Sequence, residues 1–141
     1  MSRLFALLAA GLMLAGAAPG LAQAVGPSAQ PASDSPQRRA LLDVMRPRIE
    51  EMIGAPIEFV VTRAAVQDGW ALVIAEPQRP GGGPIDGRSA FPNDWDNMDG
   101  LTVTAILRFR AGHWSVAEDA IGATDVWYCG MSGPPPALTG C

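Results

Sequence analysis

The chain has no lysine and only one histidine, and all ten of its basic side chains are arginines scattered through 141 residues. No basic run or stripe occurs, which excludes the electrostatic footprint of a nucleic-acid binder. A net-acidic chain is also poorly matched to anionic membrane surfaces. The absence of lysine, beside abundant Ala, Gly, Pro and Arg, reads as a coding bias towards GC-rich codons. Cysteine is scarce, with Cys129 and Cys141 alone, and the Cys-x-x-Cys spacing of a redox pair is missing. No Gly-x-Ser-x-Gly element is present to carry a hydrolase nucleophile. No cofactor motif occurs, so no cofactor is expected.

One long apolar run exists, and it lies at the start. Arg3 precedes Leu4 to Ala18, Pro19 and Gly20 break the run, and Ala22-Gln23-Ala24 supplies a small-x-small cleavage site. This is the pattern of an export signal over residues 1–24, with the mature chain starting near Val25. The run is too short to span a bilayer comfortably, and no cysteine follows it to carry a lipid. A periplasmic or secreted location without a stable membrane anchor is therefore expected. Cleavage leaves 117 residues with nine arginines against fourteen acids, a net charge of −5. That length suffices for one domain without metal or dense disulfides. In an oxidising compartment the cysteines read as a Cys129–Cys141 disulfide stapling the C-terminal tail.

Residues 25–35, rich in Pro, Ser and Ala, read as a flexible leader. Ser35-Pro36 is a helix start, with a serine cap and proline in the first turn. Leu41, Leu42, Met45, Ile49, Met52 and Ile53 then recur at helical spacing. Pro47 is expected to kink or split this helix, and Gly54 followed by Pro56 to end it. Ile57–Val66 and Trp70–Ala75 read as strands joined by an Asp68-Gly69 hairpin turn. Leu101–Arg110 alternates cleanly except at Ile106. Ala111-Gly112 leads into a fourth strand, His113–Glu118. Between the hairpins runs a long polar segment, Gln78–Gly100, of a length usually reserved for function or mobility. Thr124-Asp125 reads as a cap for a helical turn reaching Tyr128. The expected organisation is an α+β domain over 36–128, followed by a disulfide-closed, Pro-rich loop over 129–141. One helix laid across a four-stranded, mostly antiparallel curled sheet buries both apolar stripes most simply. This is a cystatin-like or NTF2-like arrangement, and such folds often host a pocket between helix and sheet.

Phe59-Val60-Val61, Gly69-Trp70-Ala71, Glu76-Pro77-Gln78-Arg79-Pro80, Ile85-Asp86, Leu107-Arg108, Trp114-Ser115-Val116 and Ile121 to Val126 carry a resemblance. Over Arg39–Trp127 the chain resembles a family of small exported bacterial proteins of unknown function. The resemblance implies one intact exported domain and no particular activity.

Several residues are candidate sites. His113 has no carboxylate and nucleophile in a triad pattern, and strand alternation places it outward, beside Arg108 or Arg110. Asp94, Asp96 and Asp99, before Gly100, form the densest acidic cluster and the best metal candidate. An EF-hand is excluded, because its fifth and twelfth positions fall on Met98 and Ala105. Glu76, Glu118 and Asp119 lie near strand ends, and a meeting of two would supply an acid–base pair. Trp70 and Trp114 share strand faces with apolar residues and read as core. Trp95, within the acidic loop, is the better contact residue. Trp127 is a further aromatic. The Cys-x-Met-Ser-x-Pro-Pro start of the terminal loop resembles the reactive loop of Bowman–Birk protease inhibitors. That likeness places Met131 at the specificity pocket, although Gly130, Gly133 and the extra loop length depart from the pattern. The leading expectation is a non-enzymatic accessory module that binds a periplasmic protein or a small ligand. The alternatives are a carboxylate- or calcium-dependent enzyme and a secreted serine-protease inhibitor.

Overall fold

The structure, a computed structural model, describes residues 28–141. The export signal expected over residues 1–24 lies outside the described residues. The fold is α+β, with one long helix, α1 (Pro36–Ile53), and four strands. The strands are β1 (Glu58–Gln67), β2 (Trp70–Gln78), β3 (Val103–Arg110) and β4 (His113–Ile121). They pair antiparallel in the order β1-β2-β3-β4, so the sheet is an open meander.

Local chemistry sets the ends of α1. The Ser35 hydroxyl accepts from the Arg38 N–H at 3.1 Å, and Pro36 opens the first turn. Pro47 neither ends nor splits the helix, which runs unbroken for 18 residues. Proline removes one helical hydrogen bond, and tertiary bonds hold the turns beyond it. Glu50 Oε1 accepts from the Ile57 N–H at 3.1 Å, and Arg46 donates to the Ile57 carbonyl. Arg79 donates to the carbonyls of Ile53, Gly54 and Pro56, closing the helix C-terminus. Leu41, Met45, Ile49 and Ile53 bury the expected stripe against Ala71, Val73, Val103, Ala105 and Leu107 of the sheet.

Both hairpin turns have two positive-φ residues, Asp68-Gly69 and Ala111-Gly112, which suits the twist of tight antiparallel hairpins. β2 and β4 run longer than the pattern predicts, whereas β3 begins two residues later and β1 is shifted by one. β2 continues through Pro77, which lies beyond the last β2–β3 pair, Ala75–Val103. Its missing N–H therefore interrupts no ladder with β3. β4 continues to Ile121 because the register shifts between Ile106 and Leu107. Leu107 pairs with Val116 and Ile106 with Glu118, so Ala117 is an extra, bulged residue. The bulge re-aims the side chains beyond it, and Asp119 rather than Glu118 meets α1.

Ile106, the exception to β3 alternation, is explained by a second core on the other face of the sheet. There Ala65, Leu72 and Ile106 are buried with Tyr128 and Leu138 from the C-terminal segment. A short 3-10 turn (Trp127–Gly130) and a helical turn, α3 (Pro136–Thr139), carry that segment across the sheet. Cys129 and Cys141 are bonded, as expected. The tail is more than a staple. Arg63 of β1 donates to the Leu138 carbonyl at 2.7 Å and to that of Thr139 at 3.4 Å. Gly133 lies against Trp70, where an added Cβ would come within 2.7 Å of the ring. The leader is also tied down in part, since Ala29 exchanges two backbone hydrogen bonds with Val66 on the outer edge of β1.

The segment between the hairpins folds over one end of the first core, to which Ile85, Ala90, Phe91 and Leu101 contribute. It contains a short helix, α2 (Gly87–Ala90), capped by Asp86, whose carboxylate accepts from the backbone and hydroxyl of Ser89.

Candidate functional site

α1 lies closer to β4 than to any other strand, and the seam between them is imperfectly closed. At the N-terminal end of α1, an open groove of about 670 Å³ separates the helix from the β3–β4 turn. Ala40 and Val44 form one wall, Phe109 and Trp114 the other, with Asp43 and His113 at the mouth. The two aromatic rings are 5.2 Å apart between centroids and tilted by 54°. Phe109 remains 43% exposed. It continues the inward stripe Val103-Ala105-Leu107, but α1 covers the ring incompletely. Isolated apolar residues at a surface are ordinary; an aromatic pair lining a concavity is the usual start of a ligand site.

A second, smaller cavity of about 240 Å³ lies further along the same seam, lined by Arg48, Val116, Ala117, Glu118 and Asp119. The Asp119 side chain is only 4% exposed, and its Oδ1 accepts from Arg48 Nε at 2.5 Å. The arginine is 61% exposed. The pair therefore bridges buried sheet and solvent and fixes the helix against β4.

The residues singled out from sequence do not assemble into one centre. Glu76 accepts from the Thr102 hydroxyl at the far end of β2. Glu118 and Asp119 lie two strands away on β4, so the proposed acid–base pair is not brought together. Among the described residues, no three His, Cys, Asp or Glu side chains converge to hold a metal. Within the acidic cluster, Asp96 instead pairs with Arg88 at 2.7 Å. The exposed Asp86 carboxyl is held below its ordinary range, chiefly by its hydrogen bonds from the Ser89 side chain and backbone.

His113 is exposed, with Nδ1 3.3 Å from the Ala111 carbonyl, and it sits at the groove mouth. The neighbouring Ser115 hydroxyl points to the Arg108 carbonyl at 3.4 Å. Trp114 packs on the first core and Trp70 on the second, so their shared hairpin position puts them on opposite faces. Arg108 stacks over Trp70 at 4.6 Å. Trp95 is half-buried, its ring pressed on Gly87 so closely that any Cβ there would clash at 1.9 Å. It thereby pins α2 to the following turn. Trp127 packs edge-on to Tyr128, 5.7 Å between centroids. Met131 packs towards the second core, whereas an inhibitor's specificity residue projects outward.

Most of the groove leaves no mark in the sequence. Ala40, Asp43 and Val44 look like ordinary helix positions there. The one available signal is Phe109, an apolar residue continuing a strand stripe beyond the reach of the expected helix. No protein family, curated protein or solved structure matches the chain. Among the described residues, no helix is long and apolar enough to cross a membrane, and the disulfide fits an oxidising location.

Proposed function

We propose that the protein is an exported, non-enzymatic binding module and that the groove between α1 and the β3–β4 turn is its ligand site. The observation that carries this reading is the Phe109–Trp114 pair, lining an open groove with Ala40 and Val44 opposite. Burying such a surface against an apolar group releases about 25 cal/mol per Å². The ordered framework around the groove favours binding, because little entropy is lost in arranging it. The arginines support the same reading. Arg46, Arg63, Arg79 and Arg108 are engaged with backbone carbonyls and are thereby drawn away from anion recognition. Export is supported by the N-terminal sequence pattern and the disulfide.

Native mass spectrometry of the chain recovered from its own cells tests the reading. Added mass that survives a chelator and is absent from the Phe109→Ser variant is the expected result. Added mass retained equally by that variant places the ligand elsewhere and contradicts it.

A further inference from the structure

The open groove adjoins an open strand edge. Phe109 N–H donates to the Gly69 carbonyl at 2.8 Å, towards β2 and away from β4. The Phe109–Trp114 pair is therefore a non-hydrogen-bonded pair of the β3–β4 ladder. By alternation, Leu107–Val116 is another. The backbone N–H and C=O groups of Trp114 and Val116 consequently face outward. Among the described residues no strand pairs with this edge. The opposite edge of the sheet differs, since Ala29 already occupies part of it at Val66.

The two cavities lie along this edge, between it and α1. They differ in chemistry. The first has apolar walls. The arginine of the second is already held by Asp119, and the exposed Glu118 beside it pairs with Ile106, so it stands on the opposite face of the sheet. Asp43, at the first mouth, has only a loose 3.9 Å contact with Arg46, and Arg46 is engaged with the Ile57 carbonyl. The β4 edge is thus flanked by two carboxylates with weak or no compensation, Asp43 on the α1 side and Glu118 on the other face, on a net-acidic chain.

Resting on the binding-module reading, we infer that the occupant is an extended peptide segment of a protein partner, added antiparallel to β4 as a fifth strand, with an apolar side chain in the Phe109–Trp114 groove and a basic side chain near Glu118. Strand addition satisfies the outward backbone groups, while an apolar side chain on the α1 face enters the groove and a basic one on the other face meets Glu118. From Trp114 to Glu118 is about 10 Å along the strand, allowing for the bulge. The apolar and basic residues of the partner are then about three positions apart, on opposite faces of the added strand. The bulge at Ala117 limits regular pairing to the His113–Val116 stretch, so the added strand is short and binding is reversible.

Selection of a random decapeptide phage library on the folded chain tests this. Enriched peptides are expected to carry a large apolar residue and an Arg or Lys about three positions away. A synthetic copy of the best peptide, labelled and followed by fluorescence anisotropy, is then compared with two analogues. Backbone N-methylation opposite Trp114 and Val116 is expected to weaken binding about tenfold, from the loss of two backbone hydrogen bonds. Arg→Glu in the peptide is expected to weaken it and to reverse the sign of its salt dependence. These analogues leave the protein unaltered, so folding is not at issue. Acidic enriched peptides, or indifference to N-methylation, overturn strand addition. If an uncharged naphthalene dye still binds and is lost in Phe109→Ser, the groove reading survives that failure. If neither peptide nor dye binds, both fall. A dimer in sedimentation that dissociates in Val116→Pro makes the occupant a second copy and also overturns the peptide proposal.

Discussion

Arg48 on α1 donates through Nε to Asp119 on β4, with the carboxylate buried and the guanidinium largely exposed. This contact closes the seam at the second cavity, whose lining includes both residues. It exists because the bulge at Ala117 turns Asp119 towards the helix. Removing the arginine leaves a buried charge without its partner, which costs far more than losing an exposed pair. Arg48→Ala is expected to lower stability by about 2 kcal/mol. Asp119→Asn, which keeps a hydrogen-bond acceptor, should cost less. Urea denaturation of both variants checks the order, and equal, negligible losses contradict it.

The C-terminal segment forms the second core, so its side chains contribute to stability. Leu138 is fully buried, and Leu138→Ala is expected to cost about 3 kcal/mol. Gly133→Ala should cost about 1–3 kcal/mol, because φ is +118° and the new Cβ meets Trp70. A tail that merely hangs from the disulfide would tolerate both changes. Thermal unfolding followed by tryptophan emission distinguishes the two cases.

How far the sequence reveals this arrangement depends on whether the controlling contact is local. The helix start at Ser35, its stop at Gly54 and both hairpin turns are legible, since each depends on neighbouring residues. The disulfide follows from there being two cysteines. Pro47 does not split the helix, because distant bonds at Ile57 and Arg79 hold it beyond that point. The second core shows only as the anomaly of Ile106. Its cover comes from Leu138, whose place depends on tertiary packing that no periodicity encodes. The groove depends on where α1 stops covering β3 and β4, again a tertiary matter.

Arg79 binds three carbonyls at the end of α1, a task suited to the planar, forked guanidinium. Arg79→Lys is expected to cost about 1–2 kcal/mol despite the retained charge, through lost hydrogen bonds. Amide exchange should quicken at the Gly54 N–H, which caps the helix on Glu50. Unchanged exchange there would show that the helix end does not need Arg79.

Asp86 provides a pH-dependent contact in the segment between the hairpins. Its folded pKa is depressed, first by the Ser89 side chain and next by the Ser89 N–H. The cap therefore contributes above the ordinary carboxylate range and is lost as pH falls through the lowered folded pKa. An NMR titration should place the Asp86 midpoint below 3.8, and Ser89→Ala should move it upward. A midpoint unaffected by Ser89→Ala contradicts that assignment.

Uptake of apolar ligands by the α1–β4 groove is tested most directly by titrating an uncharged naphthalene dye against the folded chain, its Phe109→Ser variant and a Val44→Arg variant. Saturable binding by the first, with at least about tenfold weaker binding by both variants, is the expected result, each having lost an apolar wall. Equal binding by all three, with circular dichroism unchanged, would contradict the groove as the ligand site.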